Sequence, residues 1–126
     1  VKEKLSYIGG IDWMYTRNID RLGIPRMKMS DGPQGLGTHG QSTAYPATVL
    51  LAATWNEDLA YEYGKSLGRD CRARGINVLL GPAVNIYRAP MCGRNFEYMG
   101  EDPYLAARIS TGYIKGNYGC HQTLFC

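Results

Sequence analysis

The sequence predicts an α/β fold built on parallel strands, and three observations carry that reading. Helical and strand-like segments alternate in the order helix, strand, loop, helix, strand, loop, helix, which is the pattern of crossover units rather than hairpins. The run Ile76–Leu80 is nearly all apolar instead of alternating, as suits a parallel strand covered on both faces. Each strand-like run also leads into a polar loop at its C-terminal end, with Asp31 after the first and Arg88 and Arg94 after the second. Sites form at that end of the strands in barrels and doubly wound sheets alike.

Each element has its own signals. Val1 to Leu22 reads as a helix, because Leu5, Ile8, Ile11, Met14 and Ile19 recur at near-helical spacing, interrupted by Gly9-Gly10. Gly23-Ile24-Pro25 ends it, since proline forces the preceding residue into extended geometry. Arg26–Ser30 alternates and predicts a strand, closed by the turn residues Asp31-Gly32-Pro33. Residues 32–43 are a loop, and 45–53 an apolar connector into which a short strand fits. Thr54-Trp55-Asn56-Glu57 matches a capping box, with Trp55 expected in the core. Behind it Leu59, Tyr63, Leu67 and Cys71 make one apolar stripe, and Gly75 occupies the place of a helix-ending glycine. After the loop 81–101, Asp102 is a natural N-cap and Pro103 a first helical residue. Leu105, Ala106, Ile109 and Tyr113 form that helix's buried face.

Composition narrows the function. A chain of 126 residues, 44% hydrophobic and 20% charged, makes one modest domain with a core. The net charge is +3 and the basic residues are scattered. Their densest group, Arg69, Arg72 and Arg74, sits at a helix end where cations suit the dipole, so no nucleic-acid partner is expected. No run of eighteen apolar residues occurs, so no membrane-spanning helix is expected. Cys71, Cys92, Cys120 and Cys126 form no CxxC pair, and His39 and His121 share no motif, so no metal is expected. GxxxxGK[ST] is absent, and neither a doubly wound nucleotide-binding domain nor its cofactor is expected.

The segment 81–101 is the most informative. Loops of that length in an α/β unit are usually functional or disordered, and Ile86, Tyr87, Phe96, Tyr98 and Met99 argue for order. It reads as a polar site resting on a buried strand. From the residues alone, Asp31 is either a ligand-binding carboxylate or a turn-former bonded to its own backbone. Arg94 is either a site residue or the ion-pair partner of Glu97 or Glu101.

Three strings, SDGPQGLG (Ser30 to Gly37), AYPATVLLAATWNEDLA (Ala44 to Ala60) and LLGPAVNIYRAPMCGRNFEYMGEDP (Leu79 to Pro103), resemble the N-terminal barrel of glycoside hydrolase family 3, its β-glucosidases above all. The resemblance covers about residues 20 to 118 and implies the N-terminal part of a (β/α)8 TIM-type barrel, incomplete, as a partial domain over 1–119. It implies a retaining β-glycosidase acting on terminal non-reducing β-linked sugars, with a small saccharide as partner and no cofactor. The family roles carry Asp31 and Arg94 over as substrate-binding residues, and Arg88, Glu97 and Asn85 as residues orienting Arg94. The family's nucleophile, acid/base and Lys-His pair all come later than this chain reaches, so no catalytic residue is assigned. The isolated chain is therefore expected to be inactive.

A barrel of this kind takes about 250 residues, so the rest is expected in a full-length parent. An open half-barrel is expected to be poorly soluble or loosely folded. The tail 120–126 departs from the family, with CHQTLFC in place of an apolar strand, and is expected to mark a truncation or frame error. Reading the coding DNA past Gly119 in other frames would test that. The competing reading is a stand-alone carbohydrate-binding or interaction module, whose incomplete pocket would bind weakly.

Overall fold

A computed structural model describes residues 1–119 and the backbone of Leu124–Phe125. Strands β1 (Met29–Asp31), β2 (Val78–Leu80) and β3 (Leu124–Phe125) form one parallel sheet in that order. Met29 lies opposite Val78, Asp31 opposite Leu80, and Val78 opposite Leu124. Helices α2 (Thr48–Ala53) and α3 (Glu57–Ala73) connect β1 to β2, and α4 (Pro103–Tyr118) connects β2 to β3. Strands laid down in sequence, each joined to its neighbour by a helix, follow the winding of a barrel. A doubly wound sheet reverses its order at a switch point, and no reversal occurs among the described strands. The tail, read from the sequence as departing from a strand, carries β3; Cys120, His121 and Cys126 lie outside the described residues.

The first segment differs most from expectation. Only Lys2–Ile8 is α-helical (α1), with a 3₁₀ turn at Asp20–Leu22, not the whole of Val1 to Leu22. Adjacent glycines carry a large entropic cost in a helix, and here Gly9-Gly10 ends it. The chain instead turns at Asp12 and Trp13, both at positive φ, and runs alongside β1. Tyr15 bridges Lys28, the Met29 N–H donates to Met14 O at 2.8 Å, and the Met27 N–H donates to Thr16 Oγ1 at 2.8 Å. These bonds occupy donors and acceptors that a bare strand edge would leave open.

Three further boundaries move. Strand β1 begins later than Arg26 and ends on Asp31, which is therefore its last residue rather than part of the turn. Strand β2 is shorter than Ile76–Leu80 because Asn77 pairs with Lys28 below it, the Lys28 N–H donating to Asn77 Oδ1 at 2.8 Å. The connector before Thr54 is helix α2, not a strand, as its Leu and Ala content allows. Thr54 then serves α2, donating to Leu51 O at 2.6 Å, and Asn56 caps α3 by accepting from the Leu59 N–H at 3.0 Å. Trp55 forms the left-handed link between the two helices (φ 55°) and is 72% exposed, not in the core.

Helix α3 buries Ala60, Tyr63, Leu67 and Cys71, whereas Leu59 stays exposed. It ends as the glycine predicts: Gly75 (φ 64°) donates to Arg72 O, and Ile76 donates to Cys71 O, the double bond pattern that satisfies a helix's last carbonyls. Helix α4 starts on Asp102, whose Oδ1 accepts from the Tyr104 and Leu105 N–H groups at 2.7 and 3.1 Å. It buries Ala106, Ile109 and Tyr113 against α3 and Leu79 of β2. Arg108 spans the two helices to reach Glu57 at 2.7 Å.

Asn117 is fully buried on α4, and among the described residues neither its Oδ1 nor its Nδ2 has a hydrogen-bond partner. An unsatisfied buried amide costs about 1–3 kcal/mol. Asn117→Leu, of similar volume, is expected to stabilise the chain by at least about 1 kcal/mol. A rise in the urea midpoint at constant slope checks this; a fall would mean that Asn117 is satisfied after all.

Candidate functional site

The site lies at the C-terminal ends of β1 and β2. Because Asp31 and Leu80 are paired in register, the loops leaving both strands start level with each other. The first loop doubles back sharply. A Cβ on Gly32 (φ 150°) would fall 1.9 Å from Gly35 O, and one on Gly35 (φ 122°) 2.2 Å from Thr43 O. Only glycine fits either position. The second loop passes through Gly81-Pro82, a cis peptide bond, and reaches the 3₁₀ turn Asn95–Glu97.

The two loops are joined directly. Gln34 Nε2 donates to Phe96 O at 3.2 Å, and Thr48 of α2 donates to Glu97 O. Between them is a cleft of about 440 Å³ lined by Asp31, Gly32, Gln34, Arg94, Phe96 and Glu97 among others. A second hollow of about 300 Å³, on the side of Asn85 and Tyr98, also takes Asp31 and Arg94 as walls. The structure thus brings both sequence-predicted site residues to one place.

Their electrostatics differ. Asp31 is exposed, and no hydrogen bond to its carboxylate occurs among the described residues. The bond across the turn, from the Gly37 N–H at 2.9 Å, goes to its backbone carbonyl. Asp31 is therefore not a turn-former through its side chain. Arg94 is an ion-pair partner of Glu97: Nε and Nη2 both donate to Glu97 Oε2, at 3.1 and 2.7 Å. The Glu97 hydrogen bond and charge raise the Arg94 pKa, with lesser contributions from Tyr98 and Asp31. Nη1 makes no hydrogen bond among the described residues. The alternatives of ion pair and site residue are compatible, since Glu97 is 18% exposed and Arg94 68%.

Glu97 thus orients Arg94, and Asn85 borders the second hollow. Arg88, expected to help orient Arg94, is exposed and makes no hydrogen bond with it. His39 stacks edge-on against Tyr15 and bonds to Met29 O. Among the described residues no group of three His, Cys, Asp or Glu side chains is arranged to hold a metal. Sequence reasoning missed Gln34 and Thr48, which fasten the cleft's walls; their only signal was position, beside the Asp-Gly-Pro turn and at the start of α2. It also missed Phe96 as a wall, whose signal was an aromatic residue two places after Arg94.

A family model described as the glycosyl hydrolase family 3 N-terminal domain matches residues 10–122. The chain belongs to glycosyl hydrolase family 3. Among family 3 relatives, β-glucosidase BoGH3A of Bacteroides ovatus is 48% identical over 91% of this chain, and thermostable β-glucosidase B of Acetivibrio thermocellus 39% over 92%. Both alignments cover 17% of the relative, so the chain spans about one sixth of the length of these proteins. Solved structures agree. β-glucosidase 3B from Thermotoga neapolitana, in complex with α-D-glucose, superposes with a TM-score of 0.81 at 38% identity over 89% of this chain and 17% of that one. The β-glucosidase from Kluyveromyces marxianus, in complex with glucose, gives 0.87 at 39% identity over 93% and 15%. The fold is accordingly the N-terminal part of a family 3 TIM-type barrel, and incomplete.

Proposed function

We propose that this chain is the sugar-recognition part of a retaining β-glycosidase of the β-glucosidase kind, and that its cleft holds the terminal non-reducing ring of a β-linked substrate. The observation that carries the reading is an acceptor carboxylate without a hydrogen-bond partner among the described residues and a guanidinium walling one cleft. Asp31 would accept hydrogen bonds from neighbouring ring hydroxyls, and Arg94 Nη1 would donate to a ring oxygen while Glu97 holds the guanidinium plane. Phe96, half-exposed, offers an apolar wall. A volume near 440 Å³ is of the size that small-molecule sites take. Two relatives of known structure were solved with glucose bound, which favours glucose as the probe.

The same residues explain why bond cleavage is not expected here. Retaining hydrolysis needs two carboxyl groups about 5 Å apart, one attacking the anomeric carbon and one delivering a proton. Glu97 Oε2 already accepts two hydrogen bonds from Arg94, a poor arrangement for a proton donor. Asp31 is assigned to hydroxyls. The chain binds, and the residues that cut would come from elsewhere in a parent protein.

Ligand-observed NMR with glucose tests the reading. Asp31→Ala is expected to weaken binding by about 10- to 150-fold, the loss of hydrogen bonds to a charged group worth about 1.5–3 kcal/mol. Arg94→Ala is expected to weaken it to a similar degree. Affinities within twofold of the parent chain in both variants would remove the cleft from consideration.

A further inference from the structure

Beneath the cleft, two buried tyrosines address one atom. The Tyr113 hydroxyl donates to the Pro33 carbonyl at 3.1 Å, and the Tyr63 hydroxyl reaches the same oxygen at 3.3 Å. Tyr63 also lies 3.0 Å from Pro46 O. A hydroxyl has one proton to donate, so Tyr63 divides its own between two carbonyls while Tyr113 commits its own to Pro33. A carbonyl oxygen has two lone pairs, enough for both. Tyr113 is fully buried and Tyr63 nearly so, with ring centres 5.5 Å apart. Burial pushes the pKa of both upward, so both stay protonated donors.

The same turn is also tied by the Gly37 N–H donating to Asp31 O and the Tyr45 N–H donating to Gln34 O, both at 2.9 Å, but neither bond reaches Pro33. Pro33 has no N–H to give a neighbour, so its carbonyl is its only main-chain hydrogen-bonding group. Gly32 and Gly35 lie in backbone regions that side chains disfavour, and such conformations persist only where the surroundings enforce them. The end of β2 presses on the same point: a Cβ on Gly81 would lie 3.2 Å from Pro33 Cα and 3.4 Å from the Tyr113 hydroxyl.

We propose that Tyr113 and Tyr63 are positioning residues, whose paired hydroxyls clamp the Asp31-Gly32-Pro33 turn and so aim the Asp31 carboxylate into the cleft. This inference rests on the sugar-binding reading of the cleft. Neither tyrosine lines the cleft, so both act through Pro33. Tyr45 supplies an internal control. Its ring packs 5.2 Å from that of Tyr63, yet its hydroxyl donates to Asp70 Oδ2 at 2.8 Å and does not touch the turn.

Hydrogen–deuterium exchange of the whole chain, read by mass spectrometry at micromolar concentration over residues 31–37 with and without glucose, tests the proposal. Tyr113→Phe is expected to speed exchange of that segment by about three- to tenfold, the worth of one hydrogen bond, and to weaken glucose protection there by a similar factor. Tyr63→Phe is expected to do the same to a smaller degree, and stands in if the Tyr113 variant does not fold. Tyr45→Phe is expected to lower the melting temperature while leaving both quantities within twofold. Unchanged exchange over 31–37 in both tyrosine variants would overturn the clamp. Faster exchange with undiminished glucose protection, where Asp31→Ala abolishes protection, would overturn the aiming role and leave the sugar site standing. Undiminished protection in Asp31→Ala itself would remove the sugar site, and the inference with it.

Discussion

Incubated with an aryl β-glucoside, the purified chain is expected to release phenol no faster than buffer alone. The reason is geometric. Glycosidic cleavage by retention asks for a nucleophilic carboxylate and a separate proton donor flanking the bond, and the cleft offers Asp31 and a Glu97 whose Oε2 already takes two bonds from Arg94. Enzymes accelerate reactions by about 10⁶-fold or more, and binding alone supplies little of that. The difference between presence and absence of activity is therefore large and easy to read. Turnover that titrates with protein and survives repurification would mean that carboxylates of this chain perform chemistry, and the division between binding and cutting drawn above would be wrong.

The second large effect concerns the packing that supports the site. Where α3 crosses α4 the two backbones touch. A Cβ on Gly116 would lie 1.9 Å from Tyr61 O, and one on Gly64 2.0 Å from Tyr113 O. Neither contact is with a flexible side chain, so relief requires the helices to separate. Gly116→Ala and Gly64→Ala are each expected to cost about 3 kcal/mol or more, against a total stability of about 5–15 kcal/mol for a typical domain. That outweighs the gain in helix propensity, about 1 kcal/mol per glycine replaced by alanine. Far-UV circular dichroism during urea unfolding measures the balance. Gly93→Ala is the control, because a Cβ there meets nothing within 4 Å. A Gly116 variant as stable as the parent chain would show that the helices tolerate a wider spacing.

What was legible in the sequence followed from strong local chemistry. The helix 57–73 announced itself through a stripe at constant spacing and a terminal glycine, and α4 through Asp102-Pro103. Both needed little help from distant residues. That Asp31 and Arg94 fall beside one cleft was legible because each comes after a strand-like run, and because the strings around them resemble a family. Tertiary pairing was not legible. The helical spacing of Ile11, Met14 and Ile19 gave no sign that this stretch would hydrogen-bond along β1, since the partners lie 11 residues apart in Thr16–Met27 and farther in Tyr15–Lys28 and Met14–Met29. The capping motif at Thr54 was ambiguous because two helices meet there, and Asn56 wins the second. The clamp on Pro33 was invisible for a plainer reason: Tyr113 lies 80 residues from it, and a buried tyrosine in an apolar stripe looks like any other core residue.

The bond from Gln34 to Phe96 O joins segments 62 residues apart. Contacts over such separations form late, after loop closure has been overcome. A chain with its helices in place but these segments unjoined would give an almost native circular dichroism spectrum and still fail to recognise glucose. Under the sugar-binding reading proposed above, glucose recognition would for that reason be the more stringent assay of whether this polypeptide has finished folding.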